Sequence, residues 1–170
     1  MPKLPPISSE SAWPYALRLL SQRHYSQASL HKKLRQREVP EVGCAAIIQK
    51  LNDLGLLNDA HYAETMARNE ANYRHASSRL IGLKLRQKGI APSLINHALN
   101  QEGGDIPEEF DRALYHAKQY QSRHADQAWR EFRQKLAGYL YRKGFPAPVI
   151  RRVIEDLSQN LEAWSGNKEA

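Results

Sequence analysis

Apolar residues along this chain recur with the period of a helix and nowhere alternate with period two. Leu94, Ile95, Ala98 and Leu99 stand at i, i+1, i+4 and i+5. Val149, Ile150, Val153 and Ile154 repeat that spacing, and Leu157 extends their stripe. Phe132, Leu136, Tyr139 and Leu140 form one face of another helix, and Cys44, Ile47, Ile48, Leu51 and Leu54 one face of a further one. Leu80, Ile81, Leu83 and Leu85 point in several directions, the pattern of a helix covered on more than one side. With no alternating run bounded by turn residues, no strand is expected and the fold class reads as all-α.

The helices are punctuated in a repeating way. "LRQKGIAPSLIN" begins at Leu85, and "LYRKGFPAPVIR" begins 55 residues later at Leu140. In each, a glycine follows Lys, and glycine one position past a helix cap adopts the left-handed conformation without a side-chain penalty. That register pairs Leu85 with Ile90 around Gly89, and Leu140 with Phe145 around Gly144, as in a Schellman stop. Bases crowd both last turns, where they oppose the negative end of the helix dipole. Pro92 and Pro148 suit the first turn of the next helix. Each copy therefore reads as helix, tight stop, helix.

A weaker third copy lies upstream in "YSQASLHKKLRQREVP". Ser26 is placed as an N-cap with Tyr25 and Leu30 set as a hydrophobic staple, and Glu38-Val39-Pro40 replaces the glycine stop. Leading helices are expected over Tyr15–Arg23, His61–Tyr73 and Phe110–Arg123, which makes three units of three helices. Gly55 and Asn58-Asp59 mark the first junction as helix stop and helix start. "NQEGGDIPEE" marks the second as the loosest joint. The expected organisation is an N-terminal tail over 1–10, repeats over 11–57, 58–102 and 103–160, and a C-terminal tail over 161–170. Repeats of this size build an elongated, curved helical array.

Composition removes several classes of protein. No apolar run approaches the roughly 18–20 residues that span a bilayer, and the N-terminus has no signal-like region, so no membrane partner is expected. A single cysteine excludes an intramolecular disulfide and fits a cytoplasmic protein. Cys44 lies on an apolar stripe and reads as a small core residue. Catalysis has little support: there is no glycine-rich phosphate loop, no G-x-S-x-G and no Cys-x-x-Cys pair. His61-x-x-Glu64 supplies two ligands on one turn without a third, and Asp59 is explained as a helix-start residue. Neither an enzyme nor a metal or other cofactor is expected.

Charge changes the picture most. The net charge is +7, and its surplus belongs to the first two repeats. From Arg18 to Arg37 there are six bases and no acid, and from Arg68 to Lys88 six bases and only Glu70. The third repeat is nearly neutral. A local surplus of this kind creates a positive field that attracts a polyanion or an acidic protein surface.

The endings "LRQKGIAPSLINHAL" and "KLAGYLYRKGFPAPVIRRVIEDL" resemble those of the bacterial regulatory RecX family. The opening "YALRLLSQRHYSQASLHKKL" and the junction "LNDLGLLNDAHYAETMARN" are also similar to that family, from about Ala12 to Leu157. Asn58 stands where the family usually has aspartate, Tyr62 where it has phenylalanine, and Leu83 where an acid is common. The resemblance implies a non-catalytic modulator of the RecA recombinase in DNA repair, recombination and the SOS response. Such a protein docks in the groove of the RecA–DNA filament and mainly inhibits RecA. The expected docking residues are Lys32, Lys33, Arg35 and Arg37 of the first repeat and Arg74, Arg79, Lys84, Arg86 and Lys88 of the second. Arg142, Lys143, Arg151 and Arg152 form a secondary cluster. A plain nucleic-acid-binding module remains the alternative; base stacking needs exposed aromatics beside positive charge, with Tyr25, Tyr73 and Tyr141 as candidates. A monomer is the default, because no uncapped apolar face stands out.

Overall fold

The computed structural model describes residues 5–100, 108–124 and 128–165. Among them are nine α-helices and no strand. The first repeat holds α1 (Ser9–Gln22), α2 (Gln27–Arg35) and α3 (Glu41–Asp53). The second holds α4 (Asp59–Arg74), α5 (Ser78–Gln87) and α6 (Pro92–Leu99), and the third α7 (Glu109–Ser122), α8 (Trp129–Arg142) and α9 (Ala147–Ser165). The all-α array of tandem three-helix repeats is therefore as the periodicity predicts. Differences at the ends are small. α1 begins inside the segment expected as a tail, and α9 continues through Ser165. Ile7 also packs on the first core, with its N–H donating to Arg37 O at 3.1 Å.

The stops form as glycine chemistry requires. Gly89 N–H donates to Arg86 O at 2.9 Å and Ile90 N–H to Leu85 O at 3.2 Å. Gly144 and Phe145 make the equivalent bonds to Tyr141 and Leu140 at 2.9 and 3.2 Å. The glycine φ angles are +77° and +87°, the left-handed region closed to most side chains. The first repeat keeps this geometry without glycine: Glu38 sits at φ +62°, and Val39 N–H reaches Leu34 O at 3.3 Å. The motif was replaced in sequence but not in shape.

Contacts divide the chain into two compact units: Met1–Met66 with Lys84–Gln101, and Ala67–Leu83 with Glu102–Ala170. The division cuts through the middle repeat, so that α4 and α5 each contribute to both. The core of the first unit gathers Ala12, Ala16, Tyr25, Leu30, Leu34, Val39, Cys44, Leu51 and Leu57. It includes both ends of the Tyr25–Leu30 staple, and Cys44 is buried there with its thiol pKa pushed up by desolvation. The core of the second gathers Ala113, Ala117, Phe132, Leu136, Leu140, Phe145, Ile150, Val153 and Leu157. At roughly 25 cal/mol per Å2 of apolar surface, these side chains supply the main favourable term in each. On α5, Ile81 and Leu85 are fully buried while Leu83 is 46% exposed.

Candidate functional site

The site begins with a hydrogen bond. Ser26 caps α2 by accepting from Ser29 N–H at 3.2 Å, and its hydroxyl proton goes 62 positions along the chain to Lys88 O, at 2.6 Å. The start of α2 thus sits on the stop of α5. Asp59, at the first turn of α4, accepts from Gln27 N–H at 2.9 Å and satisfies a second orphan donor of α2. Asn58, not Asp59, caps α4, accepting from His61 N–H at 3.0 Å. Asp59 is the first residue of α4, as the sequence reading of a helix start has it, and its carboxylate in addition joins two repeats. Its pKa is raised by burial, against the opposing pull of the Gln27 N–H.

Around this joint lies a cleft of about 440 Å3, lined by Arg23, His24, Tyr25, Ser29, Lys32, Lys33, Gln36, Tyr62, Gln87 and Lys88. Its residues come from the end of α1, the outer face of α2, α4 and the end of α5, all within the first unit. Ser29, Lys32, Lys33 and Gln36 share the face of α2 opposite buried Leu30 and Leu34. Arg23 lies over the Tyr25 ring, 4.6 Å from its centre, which fixes the guanidinium at the mouth. Burial raises the pKa of the Tyr62 hydroxyl, Arg23 lowers it and Asp59 raises it, so the phenol stays protonated and able to donate. Among the described residues, four bases line this cleft and no carboxylate does. A lining of this charge is suited to anions.

The other expected docking residues are placed differently. Arg35 donates to Val39 O at 2.6 Å and lies 3.6 Å from Glu41. Arg37 covers the Tyr15 ring at 5.1 Å, and its buried Nε has no hydrogen-bond partner. These two brace the stop of α2 instead of joining Lys32 and Lys33. Arg74 pairs with Glu70 at 3.7 Å. Arg79 is exposed, its side chain packed near Gly144, while Lys84 is half-buried and Arg86 exposed. In the second cluster Lys143 lies 5.5 Å from the Tyr139 ring centre and Arg152 4.2 Å from that of Phe110. Arg151 lines an open groove of about 640 Å3 with Arg133, Tyr141 and Glu155, and Arg142 is exposed. Tyr73 and Tyr141 are exposed, whereas Tyr25 is buried as the staple, which removes it as a stacking platform. Sequence reasoning missed Arg23 as a site residue. The signal was its position two residues before Tyr25 of the Tyr-Ser cap, close enough to turn back over that ring.

The second unit carries the same joint with different surroundings. Ser77 O–H donates to Lys143 O at 2.8 Å and accepts from Leu80 N–H at 3.3 Å, and Glu109 accepts from Ser78 N–H at 2.9 Å. Beside it, Arg112 is buried and donates to Ala76 O and to Ser78 Oγ. His116 Nε2 donates to His75 O at 3.1 Å. Desolvation, then Lys143, lowers the His116 pKa, so the ring is held neutral. The His75 ring stacks on Tyr115 at 3.7 Å. Buried side chains crowd this joint where the first one is open and basic.

Among the described residues no group of three or more His, Cys, Asp or Glu could hold a metal ion, and no helix is long and apolar enough to cross a membrane. Glu64, half of the His61-x-x-Glu64 pair, lies 3.7 Å from His97 Nε2.

Three family models match the chain in order. They are the first, second and third three-helix domains of RecX, over residues 12–51, 58–99 and 107–154. The chain belongs to the RecX family. Its RecX relatives include the regulatory protein RecX of Streptomyces coelicolor (strain ATCC BAA-471 / A3(2) / M145), 30% identical over 157 residues covering 90% of this chain and 82% of that one. The regulatory protein RecX of Mycobacterium sp. (strain KMS) is 32% identical over 157 residues, with 90% and 85% coverage. The crystal structure of RecX from Lactobacillus salivarius superposes with a TM-score of 0.79 at 27% identity, covering 89% of this chain and 97% of that one. The family is one of regulatory proteins, as the repeated endings imply, and its name carries no catalytic activity.

Proposed function

We propose that this RecX family member binds the RecA–DNA filament and modulates it, mainly by inhibiting recombinase and ATPase activity in DNA repair and recombination. It acts in the cytoplasm as a monomer, through binding alone, with the three repeats presented between short tails. The observation that carries the reading is the cleft of the first joint, where Arg23, Lys32, Lys33 and Lys88 converge with no carboxylate among the described lining residues. A filament groove offers acidic protein surface and phosphate together. Several modest contacts on one chain add up through effective concentration, so each repeat needs to contribute only weakly.

The test compares binding to RecA-coated single strands with binding to the bare strand at matched salt. A modulator holds the coated strand at least about tenfold tighter near physiological salt. Its binding to bare DNA falls steeply as salt rises, because that attraction rests on counterion release. Equal affinity for both, with RecA's ATPase unaffected, overturns the proposal in favour of the second reading, direct DNA binding. Exposed Tyr73 and Tyr141 are what favour that second reading, since they offer flat faces to unpaired bases. Charge reversal at Lys32, Lys33 and Lys88 is expected to weaken filament binding far more than reversal at Arg151 and Arg152.

A further inference from the structure

The basic cleft has a neighbour. A second cavity, of about 420 Å3, shares the wall formed by His24, Tyr25 and Tyr62. Its far side is made of Leu17, Leu20, Leu56 and His61, and among the described residues no carboxylate lines it either. Leu17 and Leu56 are 36% and 52% exposed, so this cavity presents apolar surface to solvent beside the basic one. Both cavities lie within one compact unit, so their spacing is fixed by a single core.

We propose that the two cavities together form a docking site for an acidic protein segment carrying an apolar anchor. The carboxylates enter among Arg23, Lys32, Lys33 and Lys88, while the anchor side chain fills the space between Leu17, Leu20 and Leu56 across the shared aromatic wall. The inference rests on the protein-partner reading above and deepens it by naming the chemistry of the partner at this joint. A nucleic acid complements the basic half equally well, but not the apolar half. Bases stack on open aromatic faces, and this cavity presents leucines beside buried Tyr25. The exposed tyrosines 73, 115 and 141 all belong to the other unit. An acidic segment satisfies both halves: it is drawn in by charge and held by burial of one large side chain, the usual division between steering and anchoring at interfaces.

The experiment uses the full chain and three fluorescent probes: an Asp/Glu-rich peptide with one central phenylalanine, the same peptide with serine in place of phenylalanine, and a short oligothymidylate. The phenylalanine peptide is expected to bind about tenfold tighter than its serine counterpart, the effect of burying one aromatic side chain. Lys32→Ala with Lys33→Ala weakens both peptides, whereas Leu56→Ser erases only the difference between them. Leu56→Ser leaves oligothymidylate binding unchanged. Because the peptide pair is compared on the unaltered protein, the result does not depend on a variant that folds. If phenylalanine and serine peptides bind alike, or the oligonucleotide depends on Leu56 as the peptide does, the proposal is overturned. Binding of the unaltered chain to RecA-coated DNA is measured alongside. If that binding persists when the peptide result fails, only this site is lost and the filament reading stands.

Discussion

At both joints the hydroxyl that caps a middle helix donates to the carbonyl just before a glycine, and an acid from the next leading helix holds the adjacent N–H. Ser26, Lys88, Gly89 and Asp59 do this in the first unit, and Ser77, Lys143, Gly144 and Glu109 in the second. What differs is the flank. Where the first joint has Tyr62 and Met66 on α4, the second has Arg112 and His116 at matching positions of α7. Arg112 threads its guanidinium into the joint, and His116 fills the space beside it. One joint is left open and cationic; its twin is closed with its own side chains. A duplicated structural device is thus filled by side chains in one place and left open and cationic in the other.

The largest effect is expected at the glycines. A Cβ on Gly89 would lie 2.3 Å from Ala28 Cβ, whereas a Cβ on Gly55, at φ +67°, would meet nothing within 4 Å. Gly55→Ala therefore measures the left-handed penalty alone, about 1 kcal/mol. Gly89→Ala adds overpacking and should cost roughly 3 kcal/mol in chemical denaturation. Ala28→Gly in the Gly89→Ala background should recover part of that loss, and a double-mutant cycle without coupling would show that the helices can separate freely. Gly144→Ala should behave like Gly89→Ala, since its Cβ would come within 2.7 Å of the bonded Ser77 hydroxyl.

A smaller effect separates the joints by pH. The pKa of His116 is lower in the folded protein than in the unfolded chain, so the unfolded state takes up protons first. Stability tied to His116 is present above the ordinary histidine value near pH 6.5 and is lost as pH falls through the folded value. His116→Met, which installs the residue of the first unit, should reduce the fall in Tm between about pH 7.5 and pH 5.5 by a few degrees. An unchanged fall would assign the acid sensitivity to other groups. The smallest effect concerns Glu38. Replacing a left-handed non-glycine by glycine relieves strain but adds freedom to the unfolded chain, so Glu38→Gly should shift stability by only a few tenths of a kcal/mol. A loss beyond about 1 kcal/mol would mean that the Glu38 side chain itself holds the stop.

Local rules made much of this legible in advance. The stops at Gly89 and Gly144, the Ser26 cap, the Tyr25–Leu30 staple and the helical stripes all depend on residues within a few positions of one another. The joints could not be read that way. A serine cap satisfies its own helix whether or not its proton travels 62 residues away, and Asp59 beside Asn58 looks like an ordinary start signal. The basic belt was legible as a surplus but not as a site. Nothing local separates Lys32 and Lys33, which face the cleft, from Arg35 and Arg37, which turn back onto Val39 and Tyr15. Arg112 as a buried cation was invisible for the same reason, since its partners Ala76 and Ser78 lie on another repeat.

Glu38 also marks a stop on which no capping serine rests among the described residues. A further repeat placed ahead of the first would have to rest its leading serine on the stop of α2, as Ser26 rests on that of α5. There the bare glycine is missing, and the Glu38 Cβ occupies the approach that Gly89 leaves clear to within 2.3 Å of Ala28. At the other end α8 starts from Ala128, which has no side-chain cap bond and no hydroxyl to offer to a following stop. Among the described residues the contact of a capping serine on a helix stop is thus made at two joints, with no glycine at Glu38 and no hydroxyl at Ala128 to repeat it.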